Sequence, residues 1–204
     1  DRYRLAVAVL NWLPGSAGVE AEVMVPARVL DAARAFGEVD QVEVSLWEDA
    51  SGYGMIALTG GSQRVIARLM DPSFPDYRKL FPAEFPRQAE LEVTPLIDAI
   101  RRASVLTGKN RPVRLTFSDG QVLVEVTGDG GEGCEQLPAK WSGEPFTIAF
   151  SPVFLLDGLR ALGASKAQLR MTEPRRPAVL VGIGEGDKPS DRYKYLLMPV
   201  RLGS

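Results

Sequence analysis

Leu156-Asp157-Gly158-Leu159-Arg160 has two near-copies earlier in the chain, Leu30-Asp31-Ala32-Ala33-Arg34 and Ile97-Asp98-Ala99-Ile100-Arg101. Each reads apolar, Asp, small, apolar or small, Arg, and each lies just after an extended apolar segment and a Pro. The three aspartates stand 67 and 59 positions apart, a near-regular period that marks one supersecondary unit copied along the chain. Working outward from the first copy, Ala21-Glu22-Val23-Met24-Val25 alternates apolar and polar side chains and predicts a half-buried strand. Pro26 follows where a helix tolerates proline, in its first turn, and a helix is predicted over 28–36 with Gly37 ending it. Strands are predicted over 42–47, 53–58 and 64–69, separated by turns at Ser51-Gly52 and Gly60-Gly61.

The second copy repeats that order. Ala89-Glu90-Leu91-Glu92-Val93 alternates, Thr94 is the expected N-cap ahead of Pro95, and the helix runs to about Leu106. Strands over 113–117 and 122–126 flank the hairpin signal Asp119-Gly120, and a looser strand is expected over 135–141. The third copy opens with Phe146-Thr147-Ile148-Ala149-Phe150. Ser151-Pro152 then caps a helix carrying Leu155, Leu159 and Leu162 on one face, and strands over 168–171, 178–183 and 195–199 finish it. The predicted class is α+β: β-α-β-β-β units after one orphan strand, Leu5-Ala6-Val7-Ala8-Val9, with antiparallel sheets and helices on one face. The proline-rich stretch Phe81-Pro82-Ala83-Glu84-Phe85-Pro86 is the expected linker, dividing the chain into 1–84 and 85–204.

Composition narrows the function. Across 204 residues, 45% hydrophobic and 25% charged side chains are ordinary for a globular protein. No apolar run approaches the length of a membrane-spanning helix, and the start lacks the layout of a signal peptide. Asp1-Arg2-Tyr3-Arg4 enters a strand already under way, so the chain is expected to be part of a longer one. The single cysteine, Cys134, forms no intrachain disulfide, which fits a reducing cytoplasm; it is expected to be a partly buried small residue. With no histidine, the usual general base and the commonest metal ligand are absent, and no cofactor, metal site or catalytic set is expected. The net charge of −2 confines any nucleic-acid contact to local basic patches. Gly128-Asp129-Gly130-Gly131 and Gly182-Ile183-Gly184-Glu185-Gly186 open no predicted helix and read as hairpin turns rather than phosphate loops.

Phe74-Pro75-Asp76-Tyr77-Arg78-Lys79-Leu80-Phe81-Pro82, Tyr195-Leu196-Leu197-Met198-Pro199-Val200-Arg201-Leu202 and Arg2-Tyr3-Arg4-Leu5-Ala6-Val7 together resemble the bacterial DNA sliding clamps, the beta subunit of DNA polymerase III, with an actinobacterial cast. The resemblance covers the whole chain and implies the DNA-clamp fold: three domains per subunit, each of two β-α-β-β-β units, and two subunits closing head to tail around duplex DNA. It implies that residues 1–84 answer to the second half of a middle domain and 85–204 to a C-terminal domain. A chain without the remaining domains is expected to be a monomer.

The same resemblance implies a hydrophobic pocket that docks short linear motifs of polymerase, clamp loader and repair proteins. Its expected members are Arg2, Tyr3, Arg4, Leu5, Pro75, Lys79, Leu80, Arg175, Pro177, Leu196, Met198, Pro199, Val200, Arg201 and Leu202. Leu and Met suit a groove for Leu or Phe anchors, and the basic residues would orient polar or acidic peptide groups. On pattern alone, residues 196–202 also read as a final core strand. Arg28, Arg34, Arg101, Arg102, Lys109, Arg111, Arg160 and Lys166, on or just after the helices, are expected to face the DNA backbone. Read without the family, they are a solvated face in which each repeat's Asp and Arg pair at i, i+3. Val105 and Leu106 would meet a neighbouring subunit, or else pack the helix end on its own sheet.

Overall fold

In a computed structural model the chain is described over residues 1–15, 18–71, 73–107, 111–128, 131–184 and 186–201. The strands are β1 (Arg4–Ala8), β2 (Glu43–Glu48), β3 (Gly54–Gly60), β4 (Gln63–Arg68), β5 (Arg87–Glu92), β6 (Val113–Ser118) and β7 (Gln121–Gly128). They continue as β8 (Gly131–Pro138), β9 (Lys140–Ser142), β10 (Phe146–Phe150), β11 (Lys166–Met171), β12 (Ala178–Ile183) and β13 (Pro189–Leu197). The helices are α1 (Ala27–Ala33), α2 (Val93–Thr107) and α3 (Pro152–Ala161), and a 3-10 turn (Arg34–Phe36) carries α1 onward. Every strand pairing among the described residues is antiparallel, in sheets ordered β1-β13-β12-β11-β5-β9, β10-β6-β7-β8 and β2-β3-β4. The α+β class is therefore present as read from the sequence, and the β-α-β-β-β order is complete in the third copy, carries one extra short strand in the second and lacks its first strand in the first.

Two compact units divide the chain, residues 1–11 with 78–204 and residues 12–77. That differs from a cut after residue 84. The physical reason is that β1 lies along β13, Arg4 opposite Leu197 through Ala8 opposite Tyr193, so its backbone groups are satisfied in the larger unit.

Within the larger unit, the second and third copies exchange their first strands. β5 leaves its own copy to pair with β11, and β10 pairs with β6. Alternation dictates which side chains go inward: Val113, Leu115 and Phe117 from β6 and Val122, Val124 and Val126 from β7 are buried. They pack with Leu96, Ala99 and Ile100 of α2 and Leu155 and Leu159 of α3 in one continuous core. Trp141 of β9 reaches into it, its ring stacked on Phe117 at 4.9 Å and on Phe146 at 6.4 Å.

The smaller unit has its own core of Val29, Phe36, Ile56 and Leu58. Here one expected strand is corrected: residues 21–25 contribute only an isolated bridge between Met24 and Met70. In the other two copies the equivalent strand is received by the sheet of the partner copy. The smaller unit shows the single sheet β2-β3-β4 among the described residues, with no second sheet to receive it. Two smaller expectations also shift. Thr94 is already inside α2, which starts at Val93, and the loose strand over 135–141 is two strands, β8 paired with β7 and β9 paired with β5. The expected turn residues Asp129, Gly130 and Glu185 lie outside the described residues.

Candidate peptide-binding site at the junction of β1, β13 and α3

The site begins with a turn. Asp1 Oδ1 accepts the backbone N–H of Tyr3 at 3.1 Å and of Arg4 at 3.0 Å, the side-chain-to-backbone bonding that Asp makes so readily. Arg2 between them takes the left-handed conformation, φ 73°. The turn turns Tyr3 outward, 59% exposed, and launches β1. At the other end of β13 the chain stays pinned: Met198 N–H donates to Tyr3 O at 2.8 Å, and Val200 N–H donates to Ala149 O at 2.8 Å. Met198, Pro199 and Val200 are thus held half-buried, and Arg201 is exposed.

Strand alternation splits the local side chains between two faces. Arg4, Leu197 and Ala178 share one register level and face, with Ala6, Tyr195 and Leu180 at the next such level. This face meets α3. Arg4 Nη1 donates to Asp157 Oδ2 at 2.6 Å, Arg4 Nε to Asp1 Oδ2 at 2.9 Å, and the guanidinium lies 4.5 Å from the centre of the Phe154 ring. Tyr3 stacks on the same ring at 6.1 Å, and Tyr195 OH donates to Phe154 O at 2.9 Å. The hydrogen bond to Asp157 raises the Arg4 pKa, and burial raises that of Tyr195 against the opposing pull of Arg4. The opposite face carries Leu5, Leu196 and Val179 at one level and Val7, Lys194 and Val181 at another. Lys194 Nζ lies 5.8 Å from the Phe81 ring.

The expected pocket residues therefore fall into distinct places. Tyr3, Arg4, Met198, Pro199 and Val200 gather at one corner with Arg2 beside them. Leu5 is half-buried on the far face, and Leu196 there is enclosed at 3% exposure. Lys79 and Leu80 are exposed on the 3-10 turn Tyr77–Leu80, while Arg175 and the half-buried Pro177 lie on the connection from β11 to β12. Pro75 belongs to the smaller unit and is exposed; Leu202 is outside the described residues. Sequence reading missed Phe154. The available signal was an aromatic beside, rather than in, the Leu155–Leu159–Leu162 stripe, where packing on the sheet makes no demand for it.

Of the helix cations, Arg28, Arg34, Arg101, Arg102, Arg111 and Arg160 are exposed and Lys166 is half-buried; Lys109 is outside the described residues. The repeat pairs Asp31–Arg34, Asp98–Arg101 and Asp157–Arg160 approach to 3.7, 3.6 and 3.7 Å. Arg102 Nε and Nη2 grip Glu135 of β8 at 3.0 and 2.6 Å, and Lys166 Nζ meets Asp187 at 3.1 Å. Val105 is 82% exposed near the end of α2, and the side chain of Leu106 is outside the described set. Cys134 is exposed on β8 instead of partly buried, because its β7 partner Glu125 places it on the face turned from the core. No helix among the described residues is long and apolar enough to cross a membrane.

The family described as DNA polymerase III beta subunit, C-terminal domain, matches residues 78–201. The beta sliding clamp of Streptomyces coelicolor is 40% identical over 205 residues, an alignment covering 99% of this chain and 54% of that protein. The beta sliding clamp homolog GriR of Streptomyces muensis is 37% identical with the same coverage, 99% and 54%. Among solved structures, the beta sliding clamp of C. crescentus superposes with a TM-score of 0.84 at 26% identity, over 99% of this chain and 52% of that one. The sliding clamp of Pseudomonas aeruginosa bound to griselimycin gives 0.84 at 25%, over 99% and 53%. The chain thus spans about half the length of the curated relatives it matches.

Proposed function

Because the chain belongs to the DNA polymerase III beta-subunit family, the bacterial sliding clamps, we propose that it works as the partner-docking part of a DNA polymerase processivity factor. It captures short peptide motifs of polymerase, clamp loader and repair proteins and performs no chemistry of its own. The observation that carries this is the corner where Tyr3, Arg4, Phe154, Met198, Pro199 and Val200 converge, half-buried to exposed and pinned by backbone hydrogen bonds. Rigid aromatic and aliphatic surface offered this way suits a peptide anchor, since little of it must be ordered on binding. In the same reading residues 1–84 answer to half of a middle domain and 85–204 to a C-terminal domain. The exposed helix arginines touch duplex phosphates weakly and without sequence preference. Encircling DNA takes a two-subunit ring, and this chain by itself is expected to be a monomer, which light scattering checks.

The test is polarisation of a fluorescent Gln-Leu-x-Leu-Phe peptide. Saturable binding is expected, weakened about five- to thirtyfold by Met198→Ala or Leu80→Ala, the loss typical of an interface anchor. A folded sample that binds no such peptide overturns the reading. A second reading, favoured by the 37% identity to a sliding clamp homolog, is an interaction module that docks peptides or peptide-like inhibitors without encircling DNA. Retention of the longer parent protein on circular DNA separates the two.

A further inference from the structure

Asp157 is the aspartate of the third repeat, and it has a contact that the repeat pattern does not supply. Asp31 and Asp98 face the arginine three residues on, at 3.7 and 3.6 Å. Asp157 does the same toward Arg160 with Oδ1, at 3.7 Å, and presents Oδ2 to Arg4 Nη1 at 2.6 Å. The closer partner is the one outside the repeat. Arg4 is held again at Nε by Asp1, at 2.9 Å, and its Cζ lies over the Phe154 ring, 4.5 Å from the centre. Two carboxylates and an aromatic ring thus surround Arg4 at the candidate corner. The side chains of this network, Asp1, Arg4, Asp157 and Arg160, carry two charges of each sign, with Arg2 and Arg201 exposed beside them.

We infer that Asp157 is a positioning residue that sets the specificity of the site: by engaging Arg4 it holds the guanidinium over Phe154 and keeps it from attracting anions, so the corner accepts an aliphatic or aromatic peptide anchor and discriminates against an acidic one. The inference rests on the peptide-docking reading given above and refines it. It also narrows the expectation that the basic residues of the pocket would orient polar or acidic peptide groups. Arg4 acts as a cationic lid over an aromatic ring, its charge already matched. The burden of recognising anions falls instead on exposed cations such as Arg175 and Arg201. A guanidinium placed in this way adds apolar contact area through its face while its edge stays occupied.

Two series of fluorescein-labelled Gln-Leu-Ser-Leu-Phe amides decide it, one neutral and one with Asp introduced at each position in turn. Polarisation gives the ratio of the neutral to the acidic dissociation constant for the wild-type chain, for Asp157→Asn, and for Asp157→Asn combined with Arg4→Met. Replacing Asp157 by Asn removes the charge partner of Arg4 Nη1 while Asp1 stays at Nε, and the ratio moves toward the acidic probes by about two- to fivefold, the range open to a half-exposed ion pair. The move shrinks as NaCl is raised from about 50 to about 500 mM, as screening requires. Adding Arg4→Met returns the ratio to its wild-type value. A purely structural role would lower affinity for all probes together and leave the ratio alone. An unchanged ratio in Asp157→Asn, with the wild type binding well, overturns this inference and leaves the docking reading standing. No binding of any probe by the folded wild type overturns the docking reading, and this inference with it.

Discussion

Tyr195 is buried at 5% exposure, yet its hydroxyl finds a carbonyl, that of Phe154, at 2.9 Å. Burial raises its pKa above the ordinary 10.0, and the same cause acts on Tyr193. A group with a raised folded-state pKa stabilises the fold fully below its unfolded value and loses that contribution as pH climbs through the folded value. Urea midpoints should therefore hold steady from pH 7 to about 10 and fall beyond it, where the unfolded tyrosines ionise first. Tyr195→Phe should lose about 0.5–1.5 kcal/mol at pH 7, the worth of one hydrogen bond, and show a shallower alkaline decline. A steeper decline in the variant would sink this account. Residue-scale legibility in the sequence was uneven. The repeat Asp–Arg pairs were visible because helical spacing brings i and i+3 together. The Arg4–Asp157 bridge joins side chains 153 positions apart, and no local pattern marks such a pair.

At the scale of elements, α3 approaches β13 more closely than an ordinary helix could. A Cβ added to Gly158 would stand 2.6 Å from Tyr195 Cδ1 and Cε1. The third repeat carries Gly where the others have Ala32 and Ala99, and the tyrosine ring is the reason. Gly158→Ala should destabilise the larger unit by about 1–3 kcal/mol, as overpacking does, despite the better helix propensity of alanine. Circular dichroism in urea measures it; a neutral or stabilised variant would mean the helix simply shifts. Most elements were legible because the strands alternate and the helices carry an apolar stripe, both physical consequences of one-sided burial. What stayed hidden depended on a neighbour. Residues 21–25 have a strand's pattern without a sheet to join, and Ala139, whose N–H donates to Gly120 O at 3.0 Å, is where the chain passes from one sheet to another. In the candidate site, the residues on β1 and after β13 were proposed from family motifs, and Phe154 was not, because its place there depends on the strand opposite.

On the scale of the whole molecule, two cores of very different extent predict unequal stabilities. The smaller unit rests on Val29, Phe36, Ile56 and Leu58, with Leu30 of α1 left 58% exposed. A Cβ on Gly60 would come within 2.6 Å of the Phe36 ring. Gly60→Ala should lower the midpoint of an early unfolding step confined to residues 12–77, with the later step unmoved, read by hydrogen exchange and mass spectrometry of peptides from each unit. One merged transition, shifted throughout, would contradict the division. The exchange of first strands in the larger unit acts on a different clock, that of synthesis. β5 leaves the ribosome early and gains β9 on one side once Ser142 has followed, but its other edge stays open until β11, ending at Met171, is made. β6 has β7 beside it at once, and only its other edge waits for β10. Neither copy can close alone, so the nascent chain passes through a long interval with one edge of β5 open and the loop-closure entropy of the β5–β11 pairing unpaid. Chaperone contact during translation should concentrate on that strand, and a ribosome stalled before Met171 has emerged should display a chain with α2 formed and its sheet still open.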